Sequence, residues 1–415
     1  MSLVPVPDVQ REILDAVGVL PTVGMAVGEA RRLVLASDVA TSEDVPPFAN
    51  TAMDGYAVRA ADTAGASPSS PVRLRVVAEL PAGRAPDVAV GAGAAIRIMT
   101  GAPMPPGADA VVMVERTERD GDDGVRVEVE ARVGEHVRPA GGDLQAGQVA
   151  FRAGSVLSPA HVGVLASIGV RRVRVFRRAR VGVLSTGDEI VEEGALEPGK
   201  IRDANRPMLL GLAHEAGAEP VDLGIARDDE DRIVAILEDA LTRCDAVLTS
   251  GGVSVGDYDY VKAAIDRLGS LEWRQVAIKP AKPLAFGLAR DVPVFGLPGN
   301  PVSSLVSFEL FARPALLRMM GHTRCFRPEI VARADHAFTR KRDGKLHLDR
   351  VQVRWDGDGY VAGRSGAQES NMLSATAAAN GLALVPDGDG VSAGEPIRVM
   401  LLDEPRAESP SFWSA

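Results

Sequence analysis

Four short segments of this chain combine glycines, hydroxyl groups and charged side chains in a way that suits anion binding. They are STGDE (Ser185–Glu189), SGGVSVGDYD (Ser250–Asp259), KPAKP (Lys279–Pro283) and LPGNPVSS (Leu297–Ser304). Glycines let backbone N–H groups approach an oxyanion, and a following helix adds the positive end of its dipole. Carboxylates beside such loops are suitable ligands for Mg²⁺, which prefers oxygen donors. The four segments therefore predict an anion-binding site with an associated cation.

The glycine-rich loop holds Gly251, Gly252 and Gly256 together with Asp257 and Asp259. It matches neither GxxxxGK[ST] nor GxGxxG, so it is not a standard nucleotide loop or a Rossmann fingerprint. It is either an oxyanion loop or an ordinary turn in which Asp257 caps the next helix. In the first interpretation the candidate contacts are Ser250, Gly251, Gly252 and Ser254.

Lys279 and Lys282 are each followed by proline, which stiffens the backbone between them. Two cations on a stiff loop suit a phosphate or an oxyanion such as molybdate, and the alternative is a solvated surface turn. Asn300 precedes Pro301, which indicates either an ordinary capped helix start or a second anion site.

Several acids are candidate metal ligands. Glu189 follows a strand and has no competing helical role, whereas Asp228 is either a ligand or the N-cap of an amphipathic helix. Asp54, which precedes Gly55, is by itself compatible with a hairpin turn, and Asp143 has the same structural interpretation.

The elements that must position these residues alternate between strands and helices from Arg180 onward. Strands are predicted at VGVLST, PVDLG, DAVLTS, WRQVAI, PLAFG and PVFGLPG, and helices at residues 207–216, 233–241, 260–268 and 301–320. Such alternation predicts a parallel sheet with right-handed crossovers. Since ligands bind at the carboxyl ends of parallel strands, the four loops should open at one edge.

The flanking regions have a different texture. Helices are predicted at residues 8–20 and 27–39, and a third opens at Ser158-Pro159 and closes at Gly169. Short alternating runs between Pro46 and Ala150, and again after Cys325, predict β structure.

The bulk composition narrows the classes of function. The chain has 415 residues, 46% hydrophobic residues and a net charge of −10, which disfavours general nucleic-acid binding. Its two cysteines exclude a disulfide framework, and Cys244 is predicted to lie in a core. No leader pattern or run of 18 apolar residues is present, so we expect a soluble cytoplasmic protein with no membrane partner.

Seven ordered motifs between Pro46 and Met320 resemble the MoeA family, to which the C-terminal domain of gephyrin also belongs. They are PPFANTAMDGYAVR, RIMTGAPMPPGADAVVMVE, RPAGGDLQAGQ, STGDEI, SGGVSVGDYDYVK, KPAKPLAFG and GLPGNPVSS. The resemblance implies an α/β and β multidomain fold. A linker domain would take residues 1–48 and 144–177, an inserted β-rich domain 49–143, and a MogA-like α/β domain with a parallel sheet 178–323. A β-barrel-like domain would take 324–405, and 406–415 would form a tail.

The same resemblance implies the last step of molybdenum cofactor assembly. Molybdate is inserted into adenylylated molybdopterin, AMP is released, and Mg²⁺ is required. A homodimer is implied, with each site between the α/β domain of one subunit and the TAMDGYA domain of the other. Contacts with other cofactor-assembly proteins are also implied. Two alternatives remain open at this stage: a molybdopterin adenylyltransferase and a non-catalytic molybdopterin-binding scaffold.

The motif match also assigns site residues. The catalytic acids are Asp54, Asp143, Glu189, Asp228 and Asp259, and the metal ligands among them are Glu189, Asp228 and Asp259. The substrate contacts are Thr100, Ser250, Gly251, Gly252, Ser254, Lys279, Lys282, Pro298, Pro301, Arg350 and Ser370. Gln275 stands where some members carry a lysine, so either Arg274 replaces that lysine or one oxyanion contact is missing. The motif GAQESN around Ser370 matches only in part.

Overall fold

A computed structural model describes residues 3–251 and 260–405 of the chain. The chain divides into two compact units. The first unit is drawn from the described parts of Met1–Val23, Arg32–Ala36 and Arg174–Ala415, and the second from Gly24–Arg31 and Ser37–Val173.

A seven-stranded sheet forms the centre of the first unit. In spatial order its strands are Leu3–Val4, Gly269–Val276, Pro283–Ala289, Val292–Leu297, Ala246–Ser250, Arg180–Thr186 and Glu219–Ala226. The last four of these run parallel to one another, as the sequence predicts. Pro283–Ala289 is antiparallel to both of its neighbours. The two-residue connection Arg290-Asp291 explains this exception, because a link that short cannot cross over to a parallel strand.

Helices cover both faces of this sheet. The helices of the first unit are Val6–Ala16, Asn205–Glu215, Glu230–Arg243, Tyr260–Leu268, Pro301–Ser307, Arg313–Met319 and Leu373–Ala377, with a π-helical turn at Phe308–Ala312. Alternation along the strands divides the core in two. Val183 and Leu248 belong to the core with the first helix and the Pro301–Met319 region, whereas Leu184 and Val247 belong to the core with Glu230–Arg243. The result is a three-layer α/β/α arrangement.

The C-terminal part of the first unit is a closed five-stranded barrel. Its strands follow one another around the ring as Leu346–Trp355, Tyr360–Arg364, Glu329–Ala334, Pro396–Leu401 and Gly381–Val385, and the last pairs back to the first. The short strand Ile278–Lys279 joins this barrel by pairing in parallel with Leu346 and His347. Two smaller pairs complete the unit: Ile190–Val191 with Ile201–Arg202, and Phe338–Thr339 with Gly390–Val391.

The second unit is β-rich. Its six-stranded sheet has the order Ala110–Met113, Gly55–Val58, Ala94–Ile98, Val72–Leu80, Gly124–Val127 and Thr117–Asp120. Two-stranded ladders join Val137–Arg138 with Asn50–Thr51, and Val149–Phe151 with Val39–Ala40. Short 3₁₀ turns lie at Ala60–Thr63 and Val114–Arg116. Two further strands, Thr22–Ala26 and Arg172–Phe176, span the chain positions at which the units change.

All but one of the helices predicted from the sequence are confirmed. The helix Pro159–Ser167 begins where Ser158 accepts a hydrogen bond from the His161 N–H, as the capping pattern predicts. The helix expected at 27–39 is wrong, because this segment forms turns with Arg32 at φ 67°. Ala30, Leu33 and Val34 are nevertheless buried, so helix-like spacing of apolar residues here reflects burial without a helix.

Candidate functional site

The carboxyl ends of three neighbouring parallel strands meet at one edge of the central sheet. The register places Ser185 opposite Ser250 and Ser250 opposite Leu297. A cavity of about 740 Å³, here called the strand-end cavity, opens at this edge. Six residues predicted from the sequence line it: Glu189, Asp228, Ser250, Gly251, Pro298 and Pro301. The expectation that the strand-end loops share one edge is therefore confirmed for STGDE, LPGNPVSS and the described start of SGGVSVGDYD, whereas KPAKP contributes only Pro283 to this cavity.

Gly251 is the one described glycine of the SGG loop, and its backbone requires glycine. Its φ is +99°, and a Cβ there would lie 2.6 Å from the carbonyl oxygen of Thr186. The Gly251 N–H donates to the Leu297 carbonyl at 3.2 Å, so that donor already has a partner within the fold. Gly252, Ser254, Asp257 and Asp259 lie outside the described residues.

The acids at this edge have distinct roles. Asp229 caps the helix Glu230–Arg243 by accepting from the Arg232 N–H at 3.0 Å, so the alternative in which Asp228 is the cap is wrong. The Asp228 carboxylate instead accepts from the Asp188 N–H at 3.4 Å and lies beside the STGDE loop. Within residues 3–251 and 260–405, no three His, Cys, Asp or Glu side chains form a group suited to a metal. Glu189 and Asp228 line the same cavity, and Asp259, the third expected ligand, lies outside the described residues.

A polar network that the sequence analysis missed supports the strand-end cavity from behind. The Asn205 Nδ2 donates to Ser250 Oγ at 2.6 Å and to the Gly299 carbonyl at 2.7 Å, which ties two strand-end loops together. Ser185 Oγ donates to Asp203 at 3.0 Å. The only sequence signal was the polar run RDANR just before the predicted helix, which in fact begins at Asn205.

Arg206 anchors the same network and is only 6% exposed. Its guanidinium donates to Asp203 at 3.0 Å, to Glu192 at 2.6 Å and to Asp222. Burial lowers the pKa of Arg206, but the hydrogen bonds to these three carboxylates outweigh burial and raise the pKa above its ordinary value. The buried arginine is therefore a fixed cation that orients Asp203 beneath the cavity.

A second cavity, here called the basic cavity, lies between the KPAKP loop and the barrel. It has a volume of about 1200 Å³, and Lys279, Lys282 and Ser370 line it. Its described cationic lining residues are Lys279, Lys282, Arg340, Lys341, Arg342, Lys345 and Arg364. Pro283 lines both this cavity and the strand-end cavity, so the two adjoin.

The cations of the basic cavity fall into two groups. Arg340, whose side chain is 2% exposed, pairs with Asp343 at 2.6 Å and with Asp387 at 2.7 Å. Lys345 also pairs with Asp343, at 3.0 Å. Burial acts to raise the pKa of Asp343, but hydrogen bonds from Lys345 and His347 overcome this and lower it to about 2. In contrast, the exposed Lys279, Lys282 and Lys341 have no acidic partner among the described residues.

Arg350 lies behind the wall of the basic cavity and supports the loop that lines it. It is fully buried, and its Nη2 donates to the carbonyl oxygens of Ala367 at 2.7 Å and Glu369 at 3.2 Å. Ser370 follows that loop, and its Oγ accepts from Asn300 Nδ2 at 3.1 Å. The structure thus joins Ser370 to Asn300. Arg350 holds the loop just before Ser370 and has no exposed surface. Asn300 makes no capping hydrogen bond to its own helix.

The remaining predicted residues lie in the second unit. The Asp54 carboxylate accepts from the Thr100 N–H at 2.7 Å and from Thr100 Oγ1 at 2.6 Å. These hydrogen bonds, together with the nearby charge of Arg97, lower the pKa of Asp54. Asp143 is exposed in a loop, and its own backbone N–H donates to the Val45 carbonyl at 2.9 Å. The structure therefore pairs Asp54 with Thr100 and gives Asp143 no side-chain partner among the described residues.

Comparison with known proteins agrees with this arrangement. Family models match the MoeA N-terminal region (domain I and II) over residues 4–169, a probable molybdopterin binding domain over 182–318, and the MoeA C-terminal region (domain IV) over 332–402. Molybdopterin molybdenumtransferase 2 of Mycobacterium tuberculosis is 39% identical over 94% of this chain and 97% of its own length. The chain belongs to the MoeA family.

Other MoeA proteins extend the similarity. Molybdopterin molybdenumtransferase of Bacillus subtilis is 34% identical over 99% of this chain and 96% of its own length. The crystal structure of the molybdopterin biosynthesis MoeA protein from Pyrococcus horikoshii OT3 superposes with a TM-score of 0.83 at 31% identity. That comparison covers 96% of this chain and all of the other.

Membership of the MoeA family makes the position of Arg274 informative. Its guanidinium pairs with Glu12 and, at 2.6 Å, with Glu272, and its side chain is only 13% exposed. Both carboxylates already pair with the Arg274 guanidinium, so its charge is neutralised. Arg274 is therefore poorly suited to replace the lysine that some family members carry at the position of Gln275. Of the two alternatives raised by the sequence, the one in which an oxyanion contact is missing fits this geometry better.

Within residues 3–251 and 260–405, no helix combines the length and the apolar character that crossing a bilayer requires.

Proposed function

We propose that this MoeA-family chain is a molybdopterin molybdenumtransferase that inserts molybdate into adenylylated molybdopterin and releases AMP. The observation that carries the proposal is the adjacency of a lysine-rich cavity and an acid-lined cavity at one sheet edge. The reactants are anions. The bond to be broken is the phosphoanhydride-type bond that joins the AMP phosphate to the cofactor precursor. Such a reaction needs both oxyanion binding and neutralisation of charge on phosphate oxygens.

The three lysines without acidic partners are the proposed binding groups for molybdate. Lys279, Lys282 and Lys341 are exposed on the basic cavity, and their charges are not neutralised by described acids. Charge-assisted hydrogen bonds to an oxyanion are stronger than neutral ones. Because the chain carries a net charge of −10, this local group of cations is needed to attract an anion at all.

The acids of the strand-end cavity are the proposed ligands for Mg²⁺. Glu189 and Asp228 are exposed and offer carboxylate oxygens, which fits the preference of Mg²⁺. Together with Asp259 they would hold the ion, which when bound neutralises charge on the phosphate leaving group. Carboxylates that come close together repel one another unless a cation lies among them, and this is the physical reason for proposing a metal here.

Asp54 is proposed to complete the site from a second subunit of a homodimer. Hydrogen bonds from Thr100 lower the pKa of Asp54, which favours its ionised form. Asp143 is proposed to belong to the same surface. We also propose a four-domain division with boundaries at residues 48, 143, 177 and 323. A cytoplasmic location and contacts with other cofactor-assembly proteins are likewise proposed.

A turnover assay with defined substrates tests the activity. The purified chain is incubated with adenylylated molybdopterin, molybdate and Mg²⁺, and AMP release and molybdenum incorporation are measured. In a parallel reaction it receives ATP, molybdopterin and Mg²⁺. We expect AMP and loaded cofactor in the first reaction only. Product in the second reaction alone would identify an adenylyltransferase, and product in neither would support a scaffold.

A further inference from the structure

Asn205 Oδ1 is a buried hydrogen-bond acceptor at the strand-end cavity that has no partner within residues 3–251 and 260–405. The residue is 8% exposed and lines the cavity. The orientation of its amide is determined, because the Gly299 carbonyl oxygen can only accept and so must face Nδ2. Oδ1 then points away from this contact and has no donor among the described residues. Buried acceptors without a partner are uncommon in folded proteins, and each calls for an explanation.

The charges around the two cavities differ in sign. Among its described lining residues the strand-end cavity has three acids, Glu189, Asp203 and Asp228, and one cationic residue, Arg202. The guanidinium of Arg202 already donates to the carbonyl oxygens of Glu192 and Gly194. The basic cavity instead has seven cationic residues and three acids. A ligand that spans the two adjoining cavities should therefore present hydrogen-bond donors to the strand-end cavity wherever no cation is bound, and negative charge to the basic cavity.

We propose that Asn205 is a specificity-determining residue whose Oδ1 accepts a hydrogen bond from the amino-bearing edge of the bound pterin ring. The inference rests on the proposed function, which supplies a pterin-containing substrate. A pterin carries an exocyclic amino group next to a ring N–H, and this donor edge complements an unpaired carbonyl-type oxygen. The dithiolene of the same ligand then lies toward Lys279 and Lys282, the proposed molybdate-binding groups, while its phosphate end stays beside the proposed metal. Asn205 thus sets the direction in which the substrate lies.

Binding of two matched heterocycles tests this role. The probes are 6-hydroxymethylpterin and 6-hydroxymethyllumazine, which differ in carrying an amino group or an oxo group at one ring position. Titration of the full chain, followed by the fluorescence of the ring, gives both affinities. Leaving a buried acceptor unpaired costs enough that wild type should prefer the pterin about tenfold or more. Asn205→Ala should bind the two probes with affinities within about threefold of each other.

Two further variants separate specificity from folding. Asn205→Gln retains both the amide donor and the acceptor oxygen and should keep the preference for the pterin. Asn371→Ala removes an exposed asparagine that lines the same cavity and should leave the ratio of the two affinities unchanged. A purely structural role for Asn205 predicts equal weakening of both probes, with the ratio intact.

The outcomes distinguish this inference from the proposed function. Equal affinity of wild type for the two probes overturns the role of Asn205, even if the wild-type chain releases AMP from adenylylated molybdopterin. An unchanged ratio in Asn205→Ala overturns it as well. Loss of the preference in Asn205→Ala but not in Asn205→Gln supports it. A wild-type chain that prefers the pterin yet never releases AMP refutes the transferase activity and leaves the pterin subsite standing.

Discussion

The carboxylate of Asp54 accepts two hydrogen bonds from one residue, Thr100, from its N–H at 2.7 Å and its hydroxyl at 2.6 Å. Thr100 was expected from the sequence to contact substrate directly. In the structure its hydroxyl donates to Asp54, an acid that the family resemblance assigns to catalysis, so we expect Thr100 to act on substrate at least in part through Asp54.

This pairing predicts a shift in the pH dependence of activity. Thr100→Val removes the hydroxyl donor, the largest cause of the lowered pKa of Asp54, so that pKa should rise. If ionised Asp54 is needed, the acidic limb of the AMP-release profile should move to higher pH. Thr100→Ser retains the hydroxyl and should keep the wild-type profile. Superimposable profiles for the valine and serine variants would exclude this role of Thr100.

The neighbouring acids Asp228 and Asp229 should fail in different ways when replaced. Asp229→Ala removes a helix cap and should lower the free energy of unfolding by about 1 kcal/mol, with Mg²⁺-dependent AMP release largely retained. Asp228→Ala should unfold like wild type in a denaturant titration but lose most of that activity. Wild-type turnover in Asp228→Ala, or a loss of stability in that variant alone, would contradict the assignment.

Two lysines of the basic cavity should differ in their effect on molybdate binding. Lys279→Ala should raise the molybdate concentration needed for half-maximal AMP release about tenfold, since a charge-assisted hydrogen bond contributes about 1.5–3 kcal/mol. Lys345→Ala is the matched control, because that ammonium already pairs with Asp343 at 3.0 Å, and its effect should be smaller. Equal effects of the two substitutions would mean that the pairing with Asp343 does not decide which lysine binds the anion.

Asp343 predicts a specific change of stability with pH. Its pKa is lowered from the ordinary 3.8 to about 2, so its contribution is present above pH 4 and is lost as pH falls toward 2. Because the side chain is 29% exposed, solvent screening reduces that contribution to on the order of 1 kcal/mol. Denaturant unfolding of wild type and Asp343→Asn should therefore differ at pH 7 and converge between pH 4 and pH 2. A difference that is constant across that range would refute the assignment.

Complementation tests the proposed intersubunit site. Asp54→Asn and Asp228→Ala, each expected to lose most of its activity alone, are mixed under conditions that allow subunits to exchange. Random exchange makes about half of the dimers heterodimers, and each of these contains one intact site, so activity should recover to roughly a quarter of wild type. Exchange is verified by mass difference with a tagged subunit. A mixture that stays inactive despite verified exchange would place both acids within one subunit.

The sequence alone predicts the local elements of the fold. The strand Ala246–Ser250, the capped helix after Ser158 and the amphipathic helix Glu230–Arg243 follow from burial periodicity and capping residues, which act within a few positions of the chain. The edge shared by Glu189, Ser250 and Pro298 followed from the general rule for parallel strands. The helix expected at residues 27–39 failed because buried turns can repeat apolar residues at helical spacing without helical backbone.

Only the tertiary structure decided which polar groups are already paired. Arg274 pairs with Glu12 over a sequence separation of 262 residues, and Asn300 donates to Ser370 over a separation of 70. No local pattern in the sequence predicts either contact. The same holds for Asn205, which looked like a residue before a helix and proved to tie Ser250 to Gly299. Residue types and spacing thus determined the family, the sheet and the set of candidate groups. Long-range packing determined which of them remain available to a ligand, because a buried polar group takes whatever partner the fold brings within hydrogen-bonding distance.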